Sequence, residues 1–219
     1  MDPVSCSRAW AHAPTRWSWF SHMVVNVLGL VCWAGGWVAL LGISTYTPNW
    51  VVWVYMPYFI YGPYRVVTQL KYFPAAFLML RILRTYPWQV VQGAPHGLTK
   101  RPEVTGRQYG WFEFANPAKR DQNLPLVFPR HLRVAWWARR MAPRADARLK
   151  ADIETVWFAG DPRFIGVLAA PGRKGTAPRR MHVVEQRIDA RSGWRFADWG
   201  ATHDDIERGR RVGVHPVNP

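Results

Sequence analysis

The chain has 219 residues and a formal net charge of +15 at pH 7, from 29 basic and 14 acidic side chains. Residues 1–80 contain four basic residues and one acidic residue, whereas residues 81–219 contain 25 and 13. This asymmetry argues against a uniform soluble domain and indicates an apolar anchor that carries a basic domain. Two cysteines, neither in a C-x-x-C pair, exclude a disulfide framework and argue against zinc or redox chemistry.

The first predicted element is a membrane-spanning helix over residues 23–43. This stretch is 21 residues long and uncharged, and at about 1.5 Å per residue it covers a hydrocarbon core of roughly 30 Å. Trp17 and Trp19 precede it, and Tyr46 and Trp50 follow it, as is typical of the two bilayer interfaces. Because the run is longer than the apolar region of a cleaved signal peptide, we expect it to be retained.

The second apolar region follows at once but is interrupted by proline and by charge. One alternative is a span over about residues 48–67, with Arg65 reaching the interface, followed by an interfacial helix bent near Pro74. The other is a span over about residues 57–80, which buries Arg65 and Lys71 at a cost of about 3 kcal/mol each. The first costs less, so a two-helix hairpin is predicted.

The distribution of positive charge predicts the orientation of this hairpin. The connecting residues 44–49 carry no charge, whereas basic residues precede the first span and follow the second: Arg8, Arg16, Arg65, Lys71, Arg81 and Arg84. The positive-inside rule therefore predicts a multi-pass protein of the plasma membrane with both termini in the cytoplasm.

The remaining sequence predicts a small, mainly antiparallel β domain, because short runs rich in Val, Phe and Trp alternate with Pro and Gly turns. Gly160, Asp161 and Pro162 predict a turn, since Asp can close an Asx turn and Pro fixes φ. A short helix within residues 135–150, broken by Pro143, and another over 203–211 are also expected. The predicted strands are residues 88–92, 108–114, 126–128, 132–137, 155–159, 164–169 and 181–186.

The predicted fold class is thus a membrane protein with an N-terminal transmembrane α-helical hairpin followed by a small, mainly antiparallel β (α+β) domain. Its segments are a cytoplasmic N-terminal segment (1–20), a membrane hairpin with an interfacial helix (21–86), a basic β-rich domain (87–190) and a polar, partly disordered tail (191–219).

Two short motifs accompany this layout. Residues 83–88 read L-R-T-Y-P-W, and residues 160–164 read G-D-P-R-F. The hairpin followed by these motifs resembles a group of uncharacterised two-helix membrane proteins of high-GC actinobacteria, although Ile165 stands where that group has glycine. The resemblance covers the two motifs and the order of elements, and it implies no reaction.

No pattern in the sequence predicts a catalytic, cofactor-binding or metal-binding residue. The seven histidines form no H-E-x-x-H, and residues 172–176 lack the spacing of a phosphate loop. Basic residues with aromatic neighbours nevertheless predict contacts with anionic lipid headgroups or a protein partner. The candidates are Arg81, Arg84, Trp136, Trp137, Arg139, Arg140, Arg179 and Arg180.

These features favour a membrane-anchored binding or scaffold module with a basic cytoplasmic domain. For a tethered domain, attraction to anionic lipid contributes about 1 kcal/mol per basic residue near the surface, and we favour it over nucleic acid. An unknown membrane or cytoplasmic protein is the other partner considered. The alternative is an enzyme at the membrane interface that acts on a lipid or envelope precursor through Asp161 with Arg163.

Overall fold

The computed structural model describes residues 6–99, 104, 110–129, 134–172, 175–187 and 198–214. The chain divides into two compact units. We call Trp19–Ala76 the helical unit, and Met1–Ser18 together with Phe77–Pro219 the sheet unit. The sheet unit is therefore discontinuous in sequence, because the helical unit is inserted after its first 18 residues.

Among the described residues, a short 3₁₀ helix (Ala9–Ala11) comes first and is followed by the α-helices α1 (Ala13–Ser44), α2 (Asn49–Leu70) and α3 (Tyr72–Thr85). By length and composition, α1 and the α2–α3 stretch Asn49–Thr85 could each cross a membrane. The helix α1 begins ten residues before the predicted span, because the sequence pattern marks the apolar run and a helix can extend beyond it.

The second apolar region forms two helices, as in the first of the two alternatives. Pro57 and Pro63 lie inside α2 without ending it, and α2 ends at Leu70. The break between the two helices lies at Lys71, the C-cap of α2, three residues before Pro74. Pro74 lies in the first turn of α3, where the missing N–H of proline has no intrahelical partner to lose.

Inside the helical unit, α1 and α2 make side-chain contacts along their length. The Trp33 ring stacks on Tyr58 with centroids 5.5 Å apart, and the Trp37 indole donates to the Phe59 carbonyl at 3.2 Å. The buried amide of Gln69 donates to the Asn26 carbonyl at 3.0 Å. These contacts define the hairpin that the sequence predicts.

The sheet unit contains a seven-stranded sheet in which every neighbouring pair is antiparallel. The strand order is β1-β5-β6-β7-β4-β3-β2. The strands are β1 (Gln89–Gln92), β2 (His96–Gly97), β3 (Trp111–Ala115), β4 (Asn123–Val127), β5 (Thr155–Asp161), β6 (Ile165–Pro171) and β7 (Pro178–Glu185). The structure thus confirms the α+β class with an antiparallel sheet.

Most of the predicted strands are present, with shifted ends. The prediction of a strand over 132–137 is wrong: among its described residues, Val134 is the N-cap of helix α4 (Ala135–Met141) and the rest lie in that helix. Trp137 and Met141 are one helical turn apart and both buried, so the apolar residues here follow a helical period. The alternative of a short helix interrupted at Pro143 is confirmed, because α5 (Ala147–Ala151) follows that proline.

The last helix, α6 (His203–Arg211), has the predicted bounds. Thr202 caps it: its side chain accepts from the Asp205 N–H at 3.3 Å, and the Asp205 carboxylate accepts from the Thr202 N–H at 3.1 Å. This reciprocal capping box explains why so polar a segment forms a helix.

An aromatic core lies between the sheet and α4. Phe112, Phe128 and Trp137 are fully buried, and Phe114 stacks on Phe158 with centroids 4.2 Å apart. Such rings bury the largest apolar areas of any side chains and fix the positions of the strands. The core therefore joins α4 to the strands from β3 to β7.

Candidate anionic-ligand surface of the sheet unit

The eight predicted contact residues occupy three places in the sheet unit. Arg81 and Arg84 lie on α3, and Arg179 and Arg180 lie on β7. The other four lie on α4: Trp136, Trp137, Arg139 and Arg140. Trp137 is a core residue and not a surface contact, because none of it is exposed. Its indole N–H donates to the Arg180 carbonyl at 3.2 Å, so it joins α4 to β7.

Trp136 is the centre of a cluster that contains two arginines and one aspartate, which we call the Trp136 cluster. The guanidinium carbon of Arg140 lies 3.7 Å from the Trp136 ring centroid, and that of Arg179 lies 5.5 Å away. Asp152 lies 2.8 Å from Arg140 and 3.7 Å from Arg179. One carboxylate therefore serves both guanidinium groups that contact the ring, which leaves less charge for a ligand.

Helix α3 has two different faces within the sheet unit. Met79, Ile82 and Leu83 are buried, whereas Arg81 and Arg84 are exposed. Within the described part of the chain, neither arginine forms an ion pair with a carboxylate. This face therefore presents two of the basic side chains for which the sequence predicts contacts with anionic lipid or a partner.

Arg84 also lines an open cavity of about 500 Å³ together with Ser7, Arg8, Trp10 and Ala11, here called the Arg84 cavity. The guanidinium carbon of Arg84 lies 5.5 Å from the Trp10 ring centroid. The sequence-based candidates omitted the N-terminal residues of this cavity. Arg8 and Arg84 precede and follow the helical unit in the sequence, so only the fold of the sheet unit brings them together.

The N-terminal wall of the cavity is fixed by hydrogen bonds. The Ala9 N–H donates to the Tyr86 carbonyl at 2.9 Å, directly after α3. Thr15 Oγ1 lies 2.9 Å from Nδ1 of the buried His12 and accepts from the Trp88 indole at 2.9 Å. Burial lowers the pKa of His12. The cavity is thus preformed by a short segment attached to the end of α3 and the start of the sheet.

Asp161 and Arg163, the pair considered for catalysis, form a buried ion cluster with Asp205. Arg163 Nη2 lies 2.6 Å from Asp161 and 2.9 Å from Asp205. Asp161 Oδ1 also accepts from the Arg163 backbone N–H at 2.9 Å, which confirms the predicted Asx turn. The guanidinium donates further to the Gly200 carbonyl at 3.1 Å. The cluster therefore links the β5–β6 turn to the segment that begins α6.

The pKa shifts in this cluster follow from its contacts. Burial alone would lower the pKa of Arg163, but hydrogen bonds and charges from Asp161 and Asp205 outweigh it and raise that pKa. Burial opposes ionisation of Asp205 as well, yet bonds from Thr202 and the charge of Arg163 lower its pKa. Tyr86 is buried nearby, and that burial raises its pKa strongly. The charged forms of Arg163 and Asp205 are therefore stabilised, as in a structural ion pair.

Neither the protein-family models nor the curated proteins nor the solved structures give a match to this chain. Among the described residues, no group of three His, Cys, Asp or Glu side chains is arranged to hold a metal ion.

Proposed function

We propose that the chain is a plasma-membrane protein whose α1 and α2 span the bilayer and whose sheet unit is a basic binding module at the cytoplasmic face. The observation that carries this proposal is the exposure of α1. Only 6% of its most apolar window is buried in the structure. The core helix of a soluble protein would be mostly buried, whereas a bilayer covers such a surface with lipid.

The outward side chains of both helices support the same conclusion. Large apolar residues are exposed along α1 and α2, namely Phe20, Leu28, Val31, Val38, Trp53 and Ile60. Exposed apolar surface on this scale marks contact with a membrane or a partner. The connecting residues 45–48 carry no charge, so the positive-inside rule favours their placement outside the cell.

In this arrangement the exposed arginines of α3 would contact anionic headgroups. Arg81 and Arg84 follow the second span closely, and attraction to an anionic leaflet contributes about 1 kcal/mol for each nearby basic residue. The sheet unit would then be a membrane-anchored binding module or scaffold, held close to the leaflet by α3.

Cysteine accessibility in intact cells tests the topology. The background is Cys6→Ala with Cys32→Ala, since both cysteines are free thiols. Thr45→Cys reports on the connecting loop, and Asp121→Cys reports on the sheet unit, where this residue is exposed. We expect an impermeant maleimide to label Thr45→Cys in intact cells and Asp121→Cys only after permeabilisation.

The opposite pattern would reverse the orientation and place the sheet unit outside the cytoplasm. Release of the full chain from membranes by alkaline carbonate would contradict the span itself, because integral helices resist that treatment.

A further inference from the structure

We propose that the Arg84 cavity binds a phosphoryl group, such as that of an anionic phospholipid with an exposed phosphomonoester. The lipid as its source rests on the proposed function, whereas the phosphoryl site itself does not. The cavity has two guanidinium groups, one hydroxyl and one indole ring in its wall, from Arg8, Arg84, Ser7 and Trp10. Guanidinium groups match the oxygens of phosphate with paired hydrogen bonds, and a hydroxyl can donate a further one.

The Trp136 cluster provides an internal comparison. There, two arginines contact one indole ring, and Asp152 supplies the negative charge between them. In the Arg84 cavity, Arg84 contacts the Trp10 ring and Arg8 lines the same space. Within the described ranges, no carboxylate pairs with Arg8 or Arg84. The described residues of the Arg84 cavity thus supply the guanidinium groups and the ring, and a bound phosphoryl group would supply the negative charge that Asp152 supplies in the Trp136 cluster.

The cavity is also preorganised, which reduces the entropy lost on binding. Ala9 is fully buried, and its N–H is bonded to the Tyr86 carbonyl. Arg84 lies in the last turn of α3, two residues before Tyr86. The backbones that carry Arg8 and Arg84 are therefore held together by a hydrogen bond next to the site, and binding requires only side-chain adjustment.

Size and sequence position favour a phospholipid headgroup as the source of the phosphoryl group. A volume of about 500 Å³ exceeds what an inorganic phosphate needs and suits a phosphate with its glycerol. Trp10 precedes the interfacial rings Trp17 and Trp19 by only a few residues. In an inserted protein this segment is expected near headgroup depth.

The test uses the full chain, purified in an uncharged maltoside detergent. Calorimetric titrations compare dihexanoyl phosphatidic acid, glycerol 3-phosphate and dihexanoyl phosphatidylcholine. We expect phosphatidic acid to bind, and we expect Arg8→Gln with Arg84→Gln to weaken it at least about tenfold, because hydrogen bonds to a charged group are lost. The control Arg148→Gln removes an exposed arginine of α5 that lies outside the cavity and outside the predicted contact residues, and it is expected to change the affinity less than about twofold.

Binding of glycerol 3-phosphate as tight as that of phosphatidic acid, with the same loss in the double variant, would support the phosphoryl site with a soluble ligand as its source. Equal losses in the double variant and in Arg148→Gln would overturn the proposal, because only general charge attraction would remain. An absence of binding by both phosphate compounds would overturn it too. The single variant Arg8→Gln replaces the double variant if the latter unfolds, since Arg8 is exposed.

None of these titrations depends on membrane topology. Failure of the phosphoryl site would leave the cysteine-labelling result unaffected, and a reversed topology would leave the titrations interpretable.

Discussion

Arg163 is a buried cation that lies between two carboxylates. Its side chain is 4% exposed, and those of Asp161 and Asp205 are 9% and 19% exposed. Removing the cation would leave two neighbouring negative charges without compensation. We therefore expect Arg163→Met to lower the free energy of unfolding by about 3–5 kcal/mol, the usual cost of breaking a buried ion pair from one side. Thermal or denaturant unfolding of the purified chain measures this.

The matched control is Arg210→Gln. Arg210 pairs with Glu207 at 2.6 Å, but the two side chains are 49% and 39% exposed, so the loss should stay below about 1 kcal/mol. Equal effects of the two variants would contradict a structural role for the buried cluster.

The same cluster separates the two functional alternatives. A catalytic Asp161 would tolerate Asp161→Ala without loss of folding, whereas a structural ion cluster predicts that this variant is clearly destabilised.

His12 connects protonation to stability. Burial lowers its pKa below the ordinary value, and Thr15 can donate its hydroxyl proton to Nδ1 only while the imidazole is neutral there. The unfolded chain therefore binds more protons than the native chain once the pH falls through the ordinary histidine pKa, about 6.5. This contribution to stability is present above that pH and is lost as the pH falls further.

We accordingly expect the melting temperature of the wild type to fall more steeply between about pH 7.5 and 5 than that of His12→Gln. Glutamine stays uncharged across this range and can still accept a hydrogen bond. His203→Gln, at an exposed position on α6, serves as the control and should keep the wild-type slope. Parallel curves for the wild type and His12→Gln would show that His12 does not carry the pH dependence.

At the scale of elements, the amide pair of Asn26 and Gln69 joins α1 to α2. Gln69 Nε2 lies 3.0 Å from the Asn26 carbonyl and 3.3 Å from its side-chain oxygen, and both residues are buried. Interhelical hydrogen bonds in membranes contribute about 0.6–2 kcal/mol each. Gln69→Leu should therefore lower the stability of the hairpin by about that amount, as measured by reversible unfolding in mixed micelles.

Thr68→Val is the neighbouring control for that measurement. The Thr68 hydroxyl donates to the Tyr64 carbonyl within α2, so its loss leaves the contact between helices unchanged. A result in which Gln69→Leu is no more destabilising than Thr68→Val would mean that packing alone, such as Trp33 on Tyr58, holds the two helices together.

The elements that local sequence determines were predictable. Short runs rich in Val, Phe and Trp between Pro and Gly turns predict the central strands, which are buried along nearly their whole length. Thr202 with Asp205 explains why α6 has the bounds that its sequence suggests. Residues 135–137 were assigned both to a strand and to a helix because a short apolar run fits either period. What selected the helix was the burial of Trp137 and Met141 in the core, a tertiary contact that the local pattern does not contain.

Of the candidate site, the sequence predicts only the residues whose exposure follows from their position on a helix. Arg81 and Arg84 are exposed as expected, because α3 buries its opposite face. Trp137 was misassigned because a tryptophan next to arginines looks the same in sequence whether it is buried or exposed. The partnership of Arg8 with Arg84 depends on the backbone bond between Ala9 and Tyr86, which links residues on either side of the helical unit.

At the scale of the whole molecule, the helical unit is an insertion within the sheet unit. The Trp19 indole donates to the Ala76 carbonyl at 3.0 Å, so the two ends of the insertion lie side by side. We expect that replacing Trp19–Ala76 with a short Gly/Ser linker yields a protein that stays in solution without detergent. It should show cooperative melting and keep its near-ultraviolet circular dichroism, because the aromatic core of the sheet unit is intact.

Deleting residues 1–76 outright is the informative contrast, because it also removes the N-terminal segment of the sheet unit. The segment contributes buried groups, among them Ala9, His12 and Thr15, and without it the Trp88 indole loses its Thr15 acceptor. A buried donor left unpaired costs about 1–3 kcal/mol, and exposed apolar surface adds to that loss. The linker variant should therefore melt at a clearly higher temperature than the deletion. Equal melting temperatures would show that the sheet unit folds without its first 18 residues and that the N-terminal wall of the Arg84 cavity is dispensable for the fold.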